Sequence, residues 1–184
     1  MRKSLPFLIA VFMFMVAPQA KADFFSFGLD AQGTYTRLDK ISFSNVSDPV
    51  TLDGFGIGVS GKLQILFITA IIDYQHLLDG ADYMHAGLGT GFTFGALPLV
   101  DLYVRGSLGL MLLSADVGGF DAPTGAGKIS PPEVGFQVRG GAGIEIPFLG
   151  DFFAFGLGVD VGAHAITGNW GYDLSVNAHL GLRI

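Results

Sequence analysis

The chain has 184 residues, of which 50% are hydrophobic and 14% are charged, whereas soluble domains carry about 25% charged residues. It contains no cysteine, which excludes a disulfide framework and a thiolate metal site. Ten basic residues stand against 16 acidic ones, and this balance argues against a nucleic-acid partner, which needs a basic surface.

The first 22 residues have the organisation of a secretory signal peptide. Arg2 and Lys3 form a positive n-region, a short apolar run follows, and Ala20-Lys21-Ala22 supplies the small residues of a cleavage site. A helix needs about 20 apolar residues to cross hydrocarbon, so the run is too short for a membrane anchor. The sequence therefore predicts an exported protein that is cleaved before Asp23.

The mature part, residues 23–184, is predicted to form a single domain without a spanning helix. Three of the ten bases lie in the signal peptide, so seven bases remain against 16 acids, a net charge of −9. No apolar run in the mature part is long enough for a transmembrane helix. A closed β-barrel is the other structure that can cross a bilayer, because it pairs all of its backbone groups.

Eight segments with period-two alternation follow one another, each close to the 9–11 residues that a tilted membrane strand needs. In chain order they lie near residues 27–38, 54–63, 68–75, 84–94, 101–113, 133–146, 153–164 and 173–184. One face of each segment is apolar, and the other consists of glycine and polar residues. The fifth is the least regular, because Met111 and Leu113 stand on its polar face. This pattern predicts an all-β fold, namely a closed antiparallel eight-stranded up-and-down transmembrane β-barrel.

The connections between these segments alternate in length. Residues 39–51 and 114–132 form long loops, and residues 78–82 and 166–172 form shorter ones. The tight links lie around residues 64–67, 95–99 and 147–151. Every proline of the mature part falls between predicted strands, because a β-ladder needs each N–H. Long loops at one end and short turns at the other are typical of outer-membrane barrels with periplasmic turns, so both termini are predicted to be periplasmic.

Alternation alone would also fit a soluble eight-stranded barrel of the lipocalin kind, whose apolar face points inward. Two features favour the opposite orientation. The polar face is rich in glycine and poor in charge, which suits a narrow lumen better than a soluble surface. The large aromatic residues of the apolar face collect near strand ends, such as Tyr35 and Phe55 at the loop end and Phe92 and Phe153 at the turn end. Two aromatic girdles around an aliphatic band are typical of membrane interfaces.

In this architecture the chain resembles the small outer-membrane barrels of the OmpA and OmpX type, over Phe27–Ile184. The resemblance implies insertion by the barrel-assembly machinery, contact with outer-membrane lipids and an outer-membrane location. Members of that group usually end their last strand with an aromatic residue. Here Leu180, Leu182 and Ile184 keep the alternation without one.

The polar residues of the last strands predict an ionic network inside the barrel. If residues 166–172 form a simple hairpin loop, lumen residues of strands seven and eight lie opposite each other when their numbers sum to about 339. This count pairs Asp160 with His179 and His164 with Ser175, and a similar count sets Arg139 beside Asp160. The predicted structural network has six members, namely Arg105, Arg139, Asp160, His164, Ser175 and His179.

Three functions remain compatible with this reading. Buried charges are mostly structural pairs, which favours a polar plug without catalytic residues, cofactor or metal. In this first function the protein is a monomer that acts structurally or contacts a surface ligand through residues 39–51 and 114–132. The His, Ser and Asp set leaves a lipid-modifying outer-membrane enzyme as an alternative, and a narrow pore is the third. His76 is predicted to face outward near the loop end, and His85 and His164 are too far apart in sequence to indicate a metal pair.

Overall fold

The computed structural model describes residues 20–21, 25–41, 50–78, 80–97, 99–115 and 133–184. Among these residues, no helix is long and apolar enough to span a membrane. They form eight long strands, which are β1 (Phe25–Ile41), β2 (Val50–Ile65), β3 (Ile68–Leu77), β4 (Ala81–Leu97), β5 (Val100–Ala115), β6 (Glu133–Phe148), β7 (Phe153–Ile166) and β8 (Asn169–Arg183). Most of the predicted signal peptide and most of the two long loops lie outside the described residues.

The eight strands close into a barrel. Each strand pairs antiparallel with the next one along the chain, and β8 pairs antiparallel with β1. Backbone hydrogen bonds between Phe25 and Ile184 continue this closing ladder to the end of the chain. The predicted fold class, a closed antiparallel eight-stranded barrel, is therefore confirmed.

Side chains alternate between the outside and the lumen along every strand. On β3, for example, residues alternate exposed and buried without a break from Ile68 to Leu77. Leucine, isoleucine, valine and phenylalanine dominate the exposed set, and Asp, Gln, Thr, His and Arg dominate the buried set. The apolar face therefore points outward, and the alternative of a soluble barrel with an apolar interior is wrong for this chain.

Several strands extend beyond their predicted limits. Residues 166–172 were expected to form a loop, but β7 and β8 are joined by a turn of only two residues, Thr167 and Gly168, whose φ angles are 49° and 83°. Two left-handed residues in a row are the signature of a type I′ turn, which matches the twist of the strands it connects. This turn shifts the register of the hairpin, with consequences for the lumen.

Pro147 lies inside β6, contrary to the prediction that every mature proline falls between strands. Its neighbour Glu145 pairs with Asp101, close to the first residue of β5, Val100. The alternation of the ladder directs the odd-numbered positions of β6 toward β5, so position 147 faces the side where β5 has already ended. The N–H that proline lacks would have had no ladder partner there, which is where a strand tolerates proline.

The ends of the barrel are stepped because β3 is short. This strand has 10 residues, while its neighbours β2 and β4 have 16 and 17. At the end that carries the tight turns, the last pair between β3 and β4 is Thr69 with Gly89, so β4 continues beyond its neighbour. A two-residue strand, Ala20–Lys21, pairs with this extension at Phe94 and Thr93. We call the end with the long connections after β1 and β5 the loop end, and the end with the tight turns after β2, β4 and β6 the turn end.

Candidate functional site: the barrel lumen

Glycines on the inner face make room for the large polar side chains of the lumen. A Cβ added at Gly143 would lie 2.6 Å from the ring of Tyr103, and a Cβ added at Gly158, on the next strand, would also clash with Tyr103. The Tyr103 hydroxyl donates to Asn177 Oδ1 at 3.1 Å. An eight-stranded barrel has an interior just wide enough for side chains, so small residues opposite large ones are needed to fill it without clashes.

Arg139 organises the middle of the lumen. Its Nη1 donates to Asp73 Oδ2 at 2.9 Å, and its Nη2 donates to Asp173 Oδ1 at 3.1 Å. Each carboxylate has a second partner, since His85 Nδ1 lies 2.9 Å from Asp73 and Gln137 Nε2 donates to Asp173 at 2.6 Å. All five side chains are buried. The guanidinium thus joins two carboxylates from β3 and β8, which lie three strands apart in the ring, and we call these five residues the Arg139 layer.

Arg105 forms a second layer nearer the turn end. Its Nε donates to Asp160 Oδ1 at 2.9 Å, and its Nη1 donates to Asp30 Oδ2 at 3.2 Å. Lys62 also donates to Asp30, and Asn177 donates to Asp160 at 2.8 Å. Charges in a narrow lumen must be paired to offset their desolvation, and this arrangement satisfies both carboxylates.

His179 links this second layer to the turn end. Its Nδ1 lies 2.9 Å from Asp30 Oδ1, and its Nε2 lies 2.9 Å from Glu145 Oε1. Arg183 in turn donates to Glu145 and, at 2.9 Å, to Asp101. Because both ring nitrogens contact carboxylate oxygens, the ring is fixed between Asp30 on β1 and Glu145 on β6.

An apolar cluster fills the lumen at the loop end. Its members are buried side chains from six strands, and we call them the apolar cap: Leu38, Ile41, Leu52, Leu77, Ala81, Tyr83, Met111, Leu113 and Ile166. The irregular face of the fifth predicted strand is thereby explained, since Met111 and Leu113 point into the cap. The sequence pattern did not predict this layer, because each strand contributes only one or two apolar residues to an inner face that is otherwise polar.

Two cavities lie in the lumen on the turn-end side of the Arg139 layer. A cavity of ≈ 70 Å³ is lined by Gln64, Thr69, Arg105, His179 and Arg183. A smaller one of ≈ 10 Å³ lies deeper, between Arg105 and Arg139. A water molecule needs about 10–15 Å³ of such space, so the first cavity has room for several waters and the second for at most one. The spaces narrow from the turn end toward the Arg139 layer.

Several buried polar atoms of the lumen, among them atoms of the Arg139 layer, have no partner among the described residues. They are Nε2 and Oε1 of Gln75, Nε2 of His85 and His164, Oε1 of Gln137, Nε of Arg139 and Nε2 of Gln32. Buried groups of this kind usually bind ordered water in folded proteins. No set of three His, Cys, Asp or Glu side chains in the described part of the chain could hold a metal ion.

The six predicted network residues all line the lumen, but their partners differ from the predicted ones. The β7–β8 turn sets Asp160 opposite Ser175 and His164 opposite Gly171, so the predicted pairs Asp160–His179 and His164–Ser175 are wrong. The predicted contact of Arg139 with Asp160 is also replaced. Arg105 binds Asp160, while Arg139 binds two aspartates that the prediction did not include.

Ser175 shows why the register matters for the enzyme alternative. Its hydroxyl donates to Thr34 Oγ1 at 3.1 Å, while the ring nitrogens of His179 lie on Asp30 and Glu145. His164 contacts Asp173 at 3.3 Å and Gln137 at 3.3 Å. A serine nucleophile needs a histidine base within hydrogen-bond distance, and the described contacts of Ser175 include none.

Polar clusters also lie on the outer face at the loop end. As predicted, His76 faces outward, and its Nδ1 lies 2.7 Å from Asp82, which also accepts from Tyr74 at 2.8 Å. On the neighbouring strands β1 and β2, Arg37 pairs with Asp39 at 3.1 Å and with Asp53 at 3.5 Å. These side chains are partly exposed, and together with the outward aromatics they form an amphipathic band of the kind found at membrane interfaces.

The comparisons with known proteins bear on the fold. No protein-family model matches the chain, and no curated protein matches it in sequence. The crystal structure of Neisserial surface protein A is similar over 89% of this chain and 99% of that one, with 14% identity and a TM-score of 0.61. The N-terminal β-barrel domain of OprF from Pseudomonas aeruginosa (15% identity, 86% and 99% coverage, TM-score 0.43) and Ail from Yersinia pestis (9% identity, 85% and 98% coverage, TM-score 0.42) also match. The chain thus has the fold of the small eight-stranded outer-membrane β-barrels.

Proposed function

We propose that this chain is an integral outer-membrane protein that does not conduct and that works as a scaffold for contacts at the cell surface. In this proposal the apolar outer face lies in the bilayer, the loop end faces the exterior, and both termini are periplasmic. The exposed apolar side chains of all eight strands support the bilayer location, since a water-soluble protein rarely exposes so large an apolar surface.

The proposal that the protein does not conduct rests on one observation, namely that two layers of side chains block the lumen one after the other. The Arg139 layer crosses the barrel with paired charges, and the apolar cap lies beyond it. An ion that came in from the turn end would first have to break buried charge pairs and would then meet a stretch without polar partners. Either step is costly in a low-dielectric interior.

Electrical recording tests this part directly. Purified protein in planar bilayers is expected to give no steady current, and liposomes that contain it should not swell in sugar solutions. Arg139→Ala should remain silent as well, because the apolar cap still closes the loop end. Steady single-channel current from the unmodified protein would refute the scaffold proposal in favour of the pore.

The surface role is proposed for residues 39–51 and 114–132. Strands of the barrel anchor both loops, at Ile41 and Val50 for the first loop and at Ala115 and Glu133 for the second. Loops held on a rigid scaffold are where recognition usually takes place. The other two connections at this end consist of two or three residues and offer little surface.

Epitope tags can test the orientation on which this role depends. A tag inserted after Gly125 should bind antibody on intact cells, whereas a tag inserted after Gly150, in the β6–β7 turn, should do so only after the outer membrane is permeabilised. The reverse pattern would place the long loops in the periplasm and remove the basis for a surface role. Labelled phospholipid and lipid A should remain intact with the purified protein, and turnover that is lost in Ser175→Ala would favour the enzyme alternative.

A further inference from the structure

The turn end carries a strand edge without a barrel partner. Beyond Gly89, β4 continues to Leu97, whereas at this end β3 stops at Ile68. Among the described residues, only Ala20 and Lys21 pair with this side of β4. Unpaired backbone at a sheet edge is a ready-made template for another strand.

The alternation of the ladder shows which backbone groups this edge presents. Leu78 N donates to Phe55 O, so even-numbered residues of β3 bond toward β2 and odd-numbered ones toward β4. Thr69 lies opposite Gly89, which makes the odd-numbered residues of β4 the ones that bond toward β3. On the extension, the N–H and C=O groups of Gly91, Thr93 and Gly95 therefore point to the open side.

The edge borders the larger cavity of the lumen. Thr90, Gly91, Phe92 and Thr93 all line it. The atoms nearest to a Cβ at Gly91 would be Gln64 Oε1 at 3.4 Å, Val104 O at 3.7 Å and Arg105 Cβ at 3.8 Å, which are ordinary van der Waals distances. A side chain that arrives opposite Thr93 on the lumen face therefore has space, while residues opposite Phe92 and Phe94 fall on the lipid face. Such a strand would alternate polar and apolar residues.

We propose that the open edge of β4, over Gly91–Gly95, is a docking site for an extended polypeptide segment that adds to the barrel as an antiparallel strand. The segment places a polar residue opposite Thr93 in the mouth of the lumen and apolar residues against Phe92 and Phe94. Ala20–Lys21 shows that the edge accepts a strand in this register. Cleavage before Asp23, as predicted from the sequence, removes this occupant and leaves the edge to a partner in the periplasm. Strand addition of this kind draws its affinity from main-chain hydrogen bonds.

A peptide with the sequence of residues 18–24 serves as the probe, because it contains the occupant observed on the edge. The protein is isolated from outer membranes, its N terminus is fixed by mass spectrometry at Asp23, and binding of the fluorescent peptide in detergent micelles is followed by anisotropy. Saturable binding is expected. No saturable binding, or a processed chain that still contains Ala20 and Lys21, would overturn the proposal.

Two substitutions separate docking on this edge from adsorption to the barrel. Thr93→Pro removes the N–H that points to the open side while leaving the ladder to β5 intact, and it should weaken binding roughly tenfold or more. Thr51→Pro is the matched control, because the same alternation points its N–H to the unpaired side of β2 at the loop end, and it should leave binding unchanged. Equal binding by both variants and the unmodified protein would refute the site.

A modified peptide covers the case in which Thr93→Pro does not fold. Methylation of the peptide nitrogen at the position of Lys21 removes the donor that faces Thr93, and the protein itself is then unchanged. The methylated peptide should lose binding by a similar factor, whereas a peptide methylated at Ala20, whose N–H points away from the edge, should bind normally. Retained binding of the Lys21-methylated peptide would show that the backbone pairing plays no part.

Discussion

Replacing Arg139 by methionine tests whether the Arg139 layer stabilises the barrel. The substitution keeps most of the side-chain volume but removes both hydrogen bonds to the carboxylates of Asp73 and Asp173. Those carboxylates are at most 2% exposed, so they cannot turn to water when the guanidinium is lost. Asp73 keeps its contact with His85, and Asp173 keeps its contacts with Gln137 and His164.

The expected loss is about 3–5 kcal/mol, the cost of leaving one side of a buried ion pair uncompensated. Two hydrogen bonds to charged groups, at about 1.5–3 kcal/mol each, give a similar value. The remaining donors place the expectation in the lower half of that range. With a urea m-value of about 1–3 kcal/mol per M, the unfolding midpoint should fall by roughly 1–4 M.

Urea unfolding in lipid vesicles can be followed by the fluorescence of Trp170, the only tryptophan of the chain. Arg37→Met is the matched control, because the side chain of Arg37 is 42% exposed and pairs with two exposed aspartates at the rim, and its midpoint should stay at the wild-type value. Adding Asp73→Asn and Asp173→Asn to Arg139→Met should restore most of the lost stability, since neutral amides need no counter-charge. A midpoint for Arg139→Met equal to that of Arg37→Met, or no recovery in the triple variant, would refute the reasoning.

Three further outcomes can be measured in the same system. Gly58→Ala should lower the free energy of unfolding by about 1–3 kcal/mol, because the new Cβ would lie 2.6 Å from the carbonyl oxygen of Tyr74. Gly33→Ala, with nothing within 4 Å of its Cβ, should not, and equal midpoints for the two variants would contradict the packing argument. Tyr103→Phe should cost about 0.5–1.5 kcal/mol for the lost hydrogen bond to Asn177, and an unchanged midpoint would show that this bond contributes nothing. Trp170 is 71% exposed on the outer face at the loop end. Its fluorescence should be quenched more by lipids brominated near the headgroup than by lipids brominated near the chain ends. Stronger quenching by the lipids brominated near the chain ends would contradict the placement of Trp170 at the membrane interface.

The fold was predictable because a barrel wall repeats one rule along every strand. The alternation on β8, with Leu174 and Val176 outward and Ser175 and Asn177 inward, needs no knowledge of its neighbours, and it assigned the face of each residue correctly. Strand ends were less predictable. Residues 169–172 continue β8 above the expected membrane boundary, where the hydrophobic contrast that marks a membrane strand fades.

The contacts in the lumen could not be predicted, because they depend on register across several strands. A two-residue turn at Thr167 and Gly168, in place of the expected loop, moves Ser175 opposite Asp160. Arg139 illustrates the second difficulty. Its partners Asp73 and Asp173 come from β3 and β8, and no count along a single hairpin relates them to β6. Sequence can name the charges of a narrow lumen, but the cross-section of the barrel decides which of them meet.

The two long connections leave the barrel between β1 and β2 and between β5 and β6. In a ring of eight strands these points are four strands apart, which places them on opposite sides of the mouth. A ligand that engages both must straddle the opening, so each attachment raises the local concentration of the other. The barrel then holds the two loops at a fixed distance, and it would select partners that are large enough to bridge that distance.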